Sequence, residues 1–225
     1  MSALSLRSRH LFFGVMVVCG GVLASQANAG LMVGHVIDKN GQPAADAVVY
    51  ATPIDLPIPA AKTGTTAVVA QEKTTFVPYV SAIRTGTLVS FPNRDPYDHH
   101  VKSLSPTKTF EARIDAKKEG PKPIKFDKAG EVALVCFFHD SMRGFIYVVD
   151  TPYFGTTDKA GNVVLNDLPA GRYEVRAWAP SMIGATLLQS VQIPQSGPAT
   201  NVQFKFDFVP KPAPAPRAPA QNATY

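Results

Sequence analysis

From Asn201 to Phe208 the chain alternates without a break. Val202, Phe204, Phe206 and Phe208 are apolar, while Asn201, Gln203, Lys205 and Asp207 are polar. A period of two sends the two sets to opposite sides of an extended strand, so one face is buried and the other meets water. Residues 172–177 repeat the pattern, with Tyr173, Val175 and Ala177 set against Arg172, Glu174 and Arg176. No segment after residue 30 holds apolar residues at helical spacing, so helices are expected to be short and few. The 20 prolines and 16 glycines imply many turns, as an all-β chain needs. Three of those turns share one chemistry: Asp38-Lys39-Asn40-Gly41, Asp127-Lys128-Ala129-Gly130 and Asp158-Lys159-Ala160-Gly161. Asp bonds its own backbone two residues on, and Gly supplies a positive φ, so each is expected to make a tight hairpin turn.

The first 29 residues follow a different logic. Arg7, Arg9 and His10 precede an apolar run from Leu11 to Ala24, and Ala27-Asn28-Ala29 follows. A basic start, a short apolar run and an A-x-A site make a cleavable secretory signal, with cleavage expected after Ala29. The run is shorter than the roughly 20 residues needed to cross a bilayer, so no stable span is expected after cleavage. The protein is therefore expected in the periplasm or outside the cell.

Export changes the meaning of the two cysteines. Cleavage removes Cys19 and leaves Cys136 as a single thiol in an oxidising compartment. Two cysteines never sufficed for a disulfide scaffold, and one unpaired thiol tends to oxidise unless it has a use. The net charge of +5 is small and scattered, which sets nucleic acid aside as a partner. There is no G-x-S-x-G elbow, Walker loop, H-E-x-x-H or Gly-rich dinucleotide turn, so no enzyme is expected.

The neighbours of Cys136 suggest that use. The strand-like Val132-Ala133-Leu134-Val135-Cys136 runs into Phe137-Phe138-His139-Asp140-Ser141-Met142 and out along Phe145 to Val149. Thiolate, imidazole and thioether recur three residues apart on one loop, a spacing that lets Cys136, His139 and Met142 converge on one ion. A fourth ligand is expected from upstream, at His99 or His100. Two imidazoles and a thiolate with a weak axial Met select copper for electron transfer. Zinc competes for His and Cys, but a thioether is a poor donor to it. Taken singly, Cys136 and Met142 also read as core residues. His35, on the first strand, reads as structural.

Phe91-Pro92-Asn93, then His99, then Cys136-x-x-His139-x-x-Met142 together resemble the cupredoxins, the small blue copper proteins such as plastocyanin and amicyanin. The resemblance covers roughly residues 65–150 and implies a Greek-key β-sandwich that shuttles single electrons. It implies one copper, Cu(I)/Cu(II), held by His99, Cys136, His139 and Met142. The family's His-Asn-Val places the ligand at His99 and puts His100 where Asn usually sits. Neighbouring strand residues also face opposite ways, so both histidines are not expected on one ion. Asp98 is read either as orienting a histidine or as facing water. One of Phe137 and Phe138 is expected in the core, and the other on an apolar docking surface. With Asp150-Thr151-Pro152-Tyr153-Phe154, the segment looks like exported plastocyanin-like proteins labelled methylamine utilisation proteins.

A second resemblance brackets the first. Gly34-x-Val36-x-Asp38-x-x-Gly41-x-Pro43 and Asp167-Leu168-Pro169-x-Gly171-x-Tyr173 are similar to the carboxypeptidase regulatory-like, or transthyretin-like, β-sandwich. The expected organisation is a signal over 1–29, a cupredoxin domain over 65–150, and a small Ig/transthyretin-like sandwich made of 30–64 with 151–209. Two consecutive domains are the alternative. A Pro/Ala-rich tail over 210–225 is expected to be disordered, and it contains a sequon, Asn222-Ala223-Thr224. The expected function is electron transfer between periplasmic redox proteins. Copper storage or delivery, and a carbohydrate-binding or adhesion module with a vestigial copper site, are the alternatives. Lys117, Lys118, Lys122, Lys125 and Lys128 are read as a solvated stretch that can steer an acidic partner.

Overall fold

The computed structural model describes residues 30–216. The signal segment, Cys19, the sequon and the end of the tail lie outside the described residues. Described residues hold strands and no helix. In chain order the strands are β1 Gly30–Ile37, β2 Val48–Pro53, β3 Thr66–Val68, β4 Ala70–Glu72, β5 Thr75–Val77, β6 Val80–Arg84, β7 Thr87–Ser90, β8 His99–Ser105 and β9 Lys108–Ile114. They continue with β10 Ile124–Phe126, β11 Gly130–Cys136, β12 Arg143–Val149, β13 Tyr153–Thr156, β14 Asn162–Leu168, β15 Gly171–Trp178, β16 Leu187–Ile193 and β17 Thr200–Lys205.

The strands form two sandwiches. In the first, a sheet of order β14-β1-β17 faces one of order β13-β2-β15-β16. β1 runs antiparallel to β14 and parallel to β17, so the chain before residue 38 is hydrogen-bonded to segments beyond residue 160. The alternating residues do what their period requires: Tyr173, Val175, Ala177, Val202, Phe204 and Phe206 are buried in one core with Met32, Val36 and Leu165. In the second, a sheet of order β6-β12-β11-β8-β9 faces one of order β10-β7-β3, with β4 and β5 forming a small ladder beside them. Its core includes Phe76, Val89, Phe91, Val101, Phe126, Leu134, Cys136, Met142 and Ile146.

A third cluster joins the two. Val48, Tyr79, Val80, Tyr147, Val149 and Trp178 are buried together. Trp178 stacks on Tyr147 with ring centroids 4.6 Å apart, and its indole N–H donates to Glu131 at 3.2 Å. This explains the unbroken apolar run at the end of β12. Ile146 and Val148 face the core of the second sandwich while Tyr147 and Val149 face the junction, so both sides are buried. Trp178 is 3% exposed and offers no open aromatic platform.

The three similar turns divide. The Asp38 carboxylate accepts from the N–H groups of Asn40 and Gln42, and that of Asp158 from Ala160 and Asn162. Gly41 and Gly161 have φ of 78° and 75°, as a tight turn needs. Asp38 N–H donates to the Gln42 carbonyl and Ile37 bridges antiparallel to Pro43, so the first turn is a tight hairpin turn. Asp158 N–H donates likewise to the Asn162 carbonyl. Beyond each turn the chain crosses to the facing sheet. The third copy is no such turn. Gly130, with φ 130°, opens β11, and Asp127 pairs loosely with Lys108 at 3.8 Å.

Candidate metal centre

β8 opens with His99 and β11 closes with Cys136, and the pairing of Cys136 with Val101 brings these two ends together. His99, Val101, Leu134 and Cys136 all point inward by strand alternation. The loop after Cys136 is tied down by its own backbone. Met142 N–H donates to the His139 carbonyl at 2.8 Å, Cys136 N–H to the Met142 carbonyl at 3.1 Å, and Phe137 N–H to the His100 carbonyl at 3.0 Å. The turn from His139 to Met142 therefore folds the His139 ring back over the strand end.

Three donor atoms converge as a result. Cys136 Sγ lies 3.6 Å from His99 Nδ1 and 3.4 Å from His139 Nδ1, and the three ligand atoms all fall within 4.8 Å of one another. His99 is fully buried, Cys136 4% exposed and His139 8% exposed. Metal–sulfur and metal–nitrogen bonds of about 2.3 and 2.0 Å around one ion place the donors roughly 3.5–3.7 Å apart, the spacing seen between the thiol and each imidazole. Burial lowers the pKa of His99 against the opposing pull of Asp95, and burial, with the charge of His99, lowers that of His139. Both rings stay neutral near pH 7 and keep a lone pair for an ion. A buried set of two neutral imidazoles and one thiol fits copper, and its sulfur suits Cu(I).

Met142 is fully buried in the same core as Cys136. His100 goes the other way: its ring lies against Phe137 and Phe138, at 5.8 and 5.7 Å, and its Nε2 is 3.5 Å from Glu111. Phe137 is 70% exposed, whereas Phe138 packs against the core below it. Asp98 neither orients a histidine nor simply faces water. It accepts from Arg113 at 2.6 Å and from Ala116 N–H at 2.9 Å, which lowers its pKa. His35 pairs with Asn162 at 3.0 Å, far from the site in sequence and on the other sandwich.

The carboxylate that does reach a site histidine is Asp95, with Oδ2 2.8 Å from His99 Nε2. Asn93 prepares it, accepting Asp95 N–H at its Oδ1 (2.9 Å) while its amide donates to the Tyr97 and Ile114 carbonyls. Asn93 stood out in the sequence only as part of Phe91-Pro92-Asn93, and Asp95 did not stand out at all. The available signal was Asn93-x-Asp95, an Asn two residues before a backbone N–H it can bind. Lys117 and Lys118 also serve this loop through their backbones, to the Asp95 carbonyl and from Asn93 N–H.

The structure thus defines an all-β protein of two sandwiches with a buried two-histidine, one-cysteine group fit to hold a metal ion. No protein-family model and no curated protein matches the sequence. Among solved structures, part of the chain is similar to a reduced amicyanin variant, with 26% identity over 44% of this chain and 99% of that one, at a TM-score of 0.32. It is also similar to amicyanin from Paracoccus versutus (21% identity, 44% and 98% covered, TM-score 0.34). A purple cupredoxin from Nitrosopumilus maritimus matches at 20% identity, with 38% and 99% covered and a TM-score of 0.32.

Proposed function

We propose that this chain is an exported blue copper protein that carries single electrons between redox proteins of its compartment. His99, Cys136 and His139 would hold one copper ion, with the Met142 thioether as a further, weaker donor. The observation that carries this reading is the Cys136 thiol, buried and within 3.6 Å of two imidazole nitrogens. Copper, when bound, supplies a centre that gains and loses one electron. The residues do the rest. β8 and the His139–Met142 turn hold the donors in one geometry, so little rearrangement accompanies a change of charge. The surrounding core excludes water.

Burial favours a carrier over a storage or delivery protein, which keeps its metal accessible. Trp178, the single tryptophan, is buried and offers no platform for a sugar. In this reading the chain belongs with the plastocyanin-like proteins of the methylamine utilisation type. The other sandwich is a regulatory-like support, and the chain has no catalytic role of its own.

The test is direct. The mature protein with added Cu(II) is expected to show the intense thiolate-to-copper absorption, and Cys136→Ala to lose it. An uncoloured native protein, or colour that survives the substitution, ends the reading. Competition with a Cu(I) chelator separates carrier from delivery protein, since a carrier holds its copper.

A further inference from the structure

We infer that Asp95 is a positioning residue for the metal centre: it fixes which nitrogen of His99 faces the thiol, and its charge favours the oxidised ion. The inference rests on the copper reading above and adds a residue that stands outside the ligand set.

The carboxylate is 6% exposed and the imidazole wholly buried, with Asp95 Oδ2 2.8 Å from His99 Nε2 and His99 Nδ1 3.6 Å from the thiol. A carboxylate buried this far needs donors to stay charged. It has a dedicated pair. Lys73 N–H donates to Oδ1 at 2.6 Å and Thr74 N–H to Oδ2 at 2.9 Å. Lys73 and Thr74 sit at φ 53° and 57°, two successive non-glycine residues in the left-handed region. Those are the angles that a two-residue hairpin loop between paired Glu72 and Thr75 requires. The loop joining β4 and β5 thereby turns two consecutive N–H groups onto this one carboxylate. Asp98, three residues on, is occupied by Arg113 and the backbone of Ala116.

The chemistry follows from the donor inventory. An ionised carboxylate only accepts, so His99 must carry its proton on Nε2 and leave the Nδ1 lone pair toward Cys136. The other tautomer would set two acceptors against each other at 2.8 Å. Such a carboxylate–histidine contact raises ligand basicity and fixes ring orientation. A negative charge beside the ligand also stabilises Cu(II) more than Cu(I), which lowers the reduction potential.

Two readouts test this. In the metal-free native protein at pH 7.5, nitrogen-15 NMR is expected to show His99 protonated at Nε2; protonation at Nδ1 overturns the inference. In the copper-loaded Asp95→Asn protein, blue absorption is retained while the preference for Cu(I) rises about tenfold, an upward shift of about 59 mV for one electron. Asp95→Glu, which keeps the charge, stays nearer the native value. A copper-loaded Asp95→Asn protein at the native potential also overturns the inference. The tautomer measurement needs neither a variant nor copper, so it decides the Asp95–His99 contact if the variant does not fold. Failure of the copper reading shows separately, as a native protein without the blue band.

Discussion

At the scale of single residues, the site is an argument about protons. His99 and His139 have pKa values held below that of a free imidazole, first by burial. A depressed basic pKa means the unfolded chain binds protons that the folded chain refuses. Above about pH 6.5 neither state is charged and the effect vanishes; below it, stability falls as the unfolded histidines protonate, by at most about 1.4 kcal/mol per pH unit for each. Asp95 does not oppose this. Burial pushes its carboxyl up, but the donors from Thr74, His99 and Lys73 outweigh burial and hold it below the usual range. Glu131 and Asp46, raised by burial, act in the opposite sense. The metal-free native protein is therefore expected to lose more urea stability between pH 7.5 and 5.5 than His139→Gln does. Equal losses would show that the His139 ring does not resist protonation.

Secondary-structure elements show where residue logic is sufficient and where it stops. Gly144 follows the metal loop on β12, and a Cβ there would lie 2.8 Å from Cβ of Phe76 and 3.1 Å from its ring. Phe76 is fully packed in the core, so it cannot withdraw cheaply. Gly144→Ala should cost about 1–3 kcal/mol by overpacking, measured as a lowered melting temperature of the metal-free protein. A melt equal to the native one would mean that β5 yields. The turns give a second contrast. Asp158→Ala removes an acceptor of two N–H groups and should cost about 1 kcal/mol. Asp127→Ala touches only a loose surface pair and should fall within about 0.5 kcal/mol of native. Chemical denaturation of both variants checks this, and equal effects would refute the division of the turns.

For the whole molecule, the junction between sandwiches is the feature with most at stake. Trp178 is the hub, stacked on Tyr147, edge-on to Phe145, and bonded to Glu131. The loop after β2 adds a strap, since the Arg84 guanidinium donates to the Pro59 and Ala60 carbonyls and to that of Asp150 at 3.0 Å. Trp178→Ala should cost about 3–5 kcal/mol, as truncation of a buried aromatic does. It should also separate urea unfolding, followed by far-ultraviolet dichroism, into two steps, because the sandwiches keep their own cores. A single transition at the native midpoint would show that the junction contributes little.

Much of this was legible in the residues. Alternation at 172–177 and 201–205 determined strands and their buried faces, because a pleated strand has only two sides, although the pattern runs on to Phe208 past the end of β17 at Lys205. The spacing of Cys136, His139 and Met142 marked a loop rich in metal donors, because such donors seldom recur three residues apart without cause. The unbroken run of β12 also held a legible signal, of a strand covered on both faces. Other facts existed only in three dimensions. Which sheet each strand joins is set by packing, so similar Asp-Lys-x-Gly patterns became two tight turns between facing sheets and one strand start. The choice between Asp95 and Asp98 depended on where β4, β5 and β9 place their donors. Local sequence specifies what a residue can bond, and the tertiary fold decides which partner comes within reach.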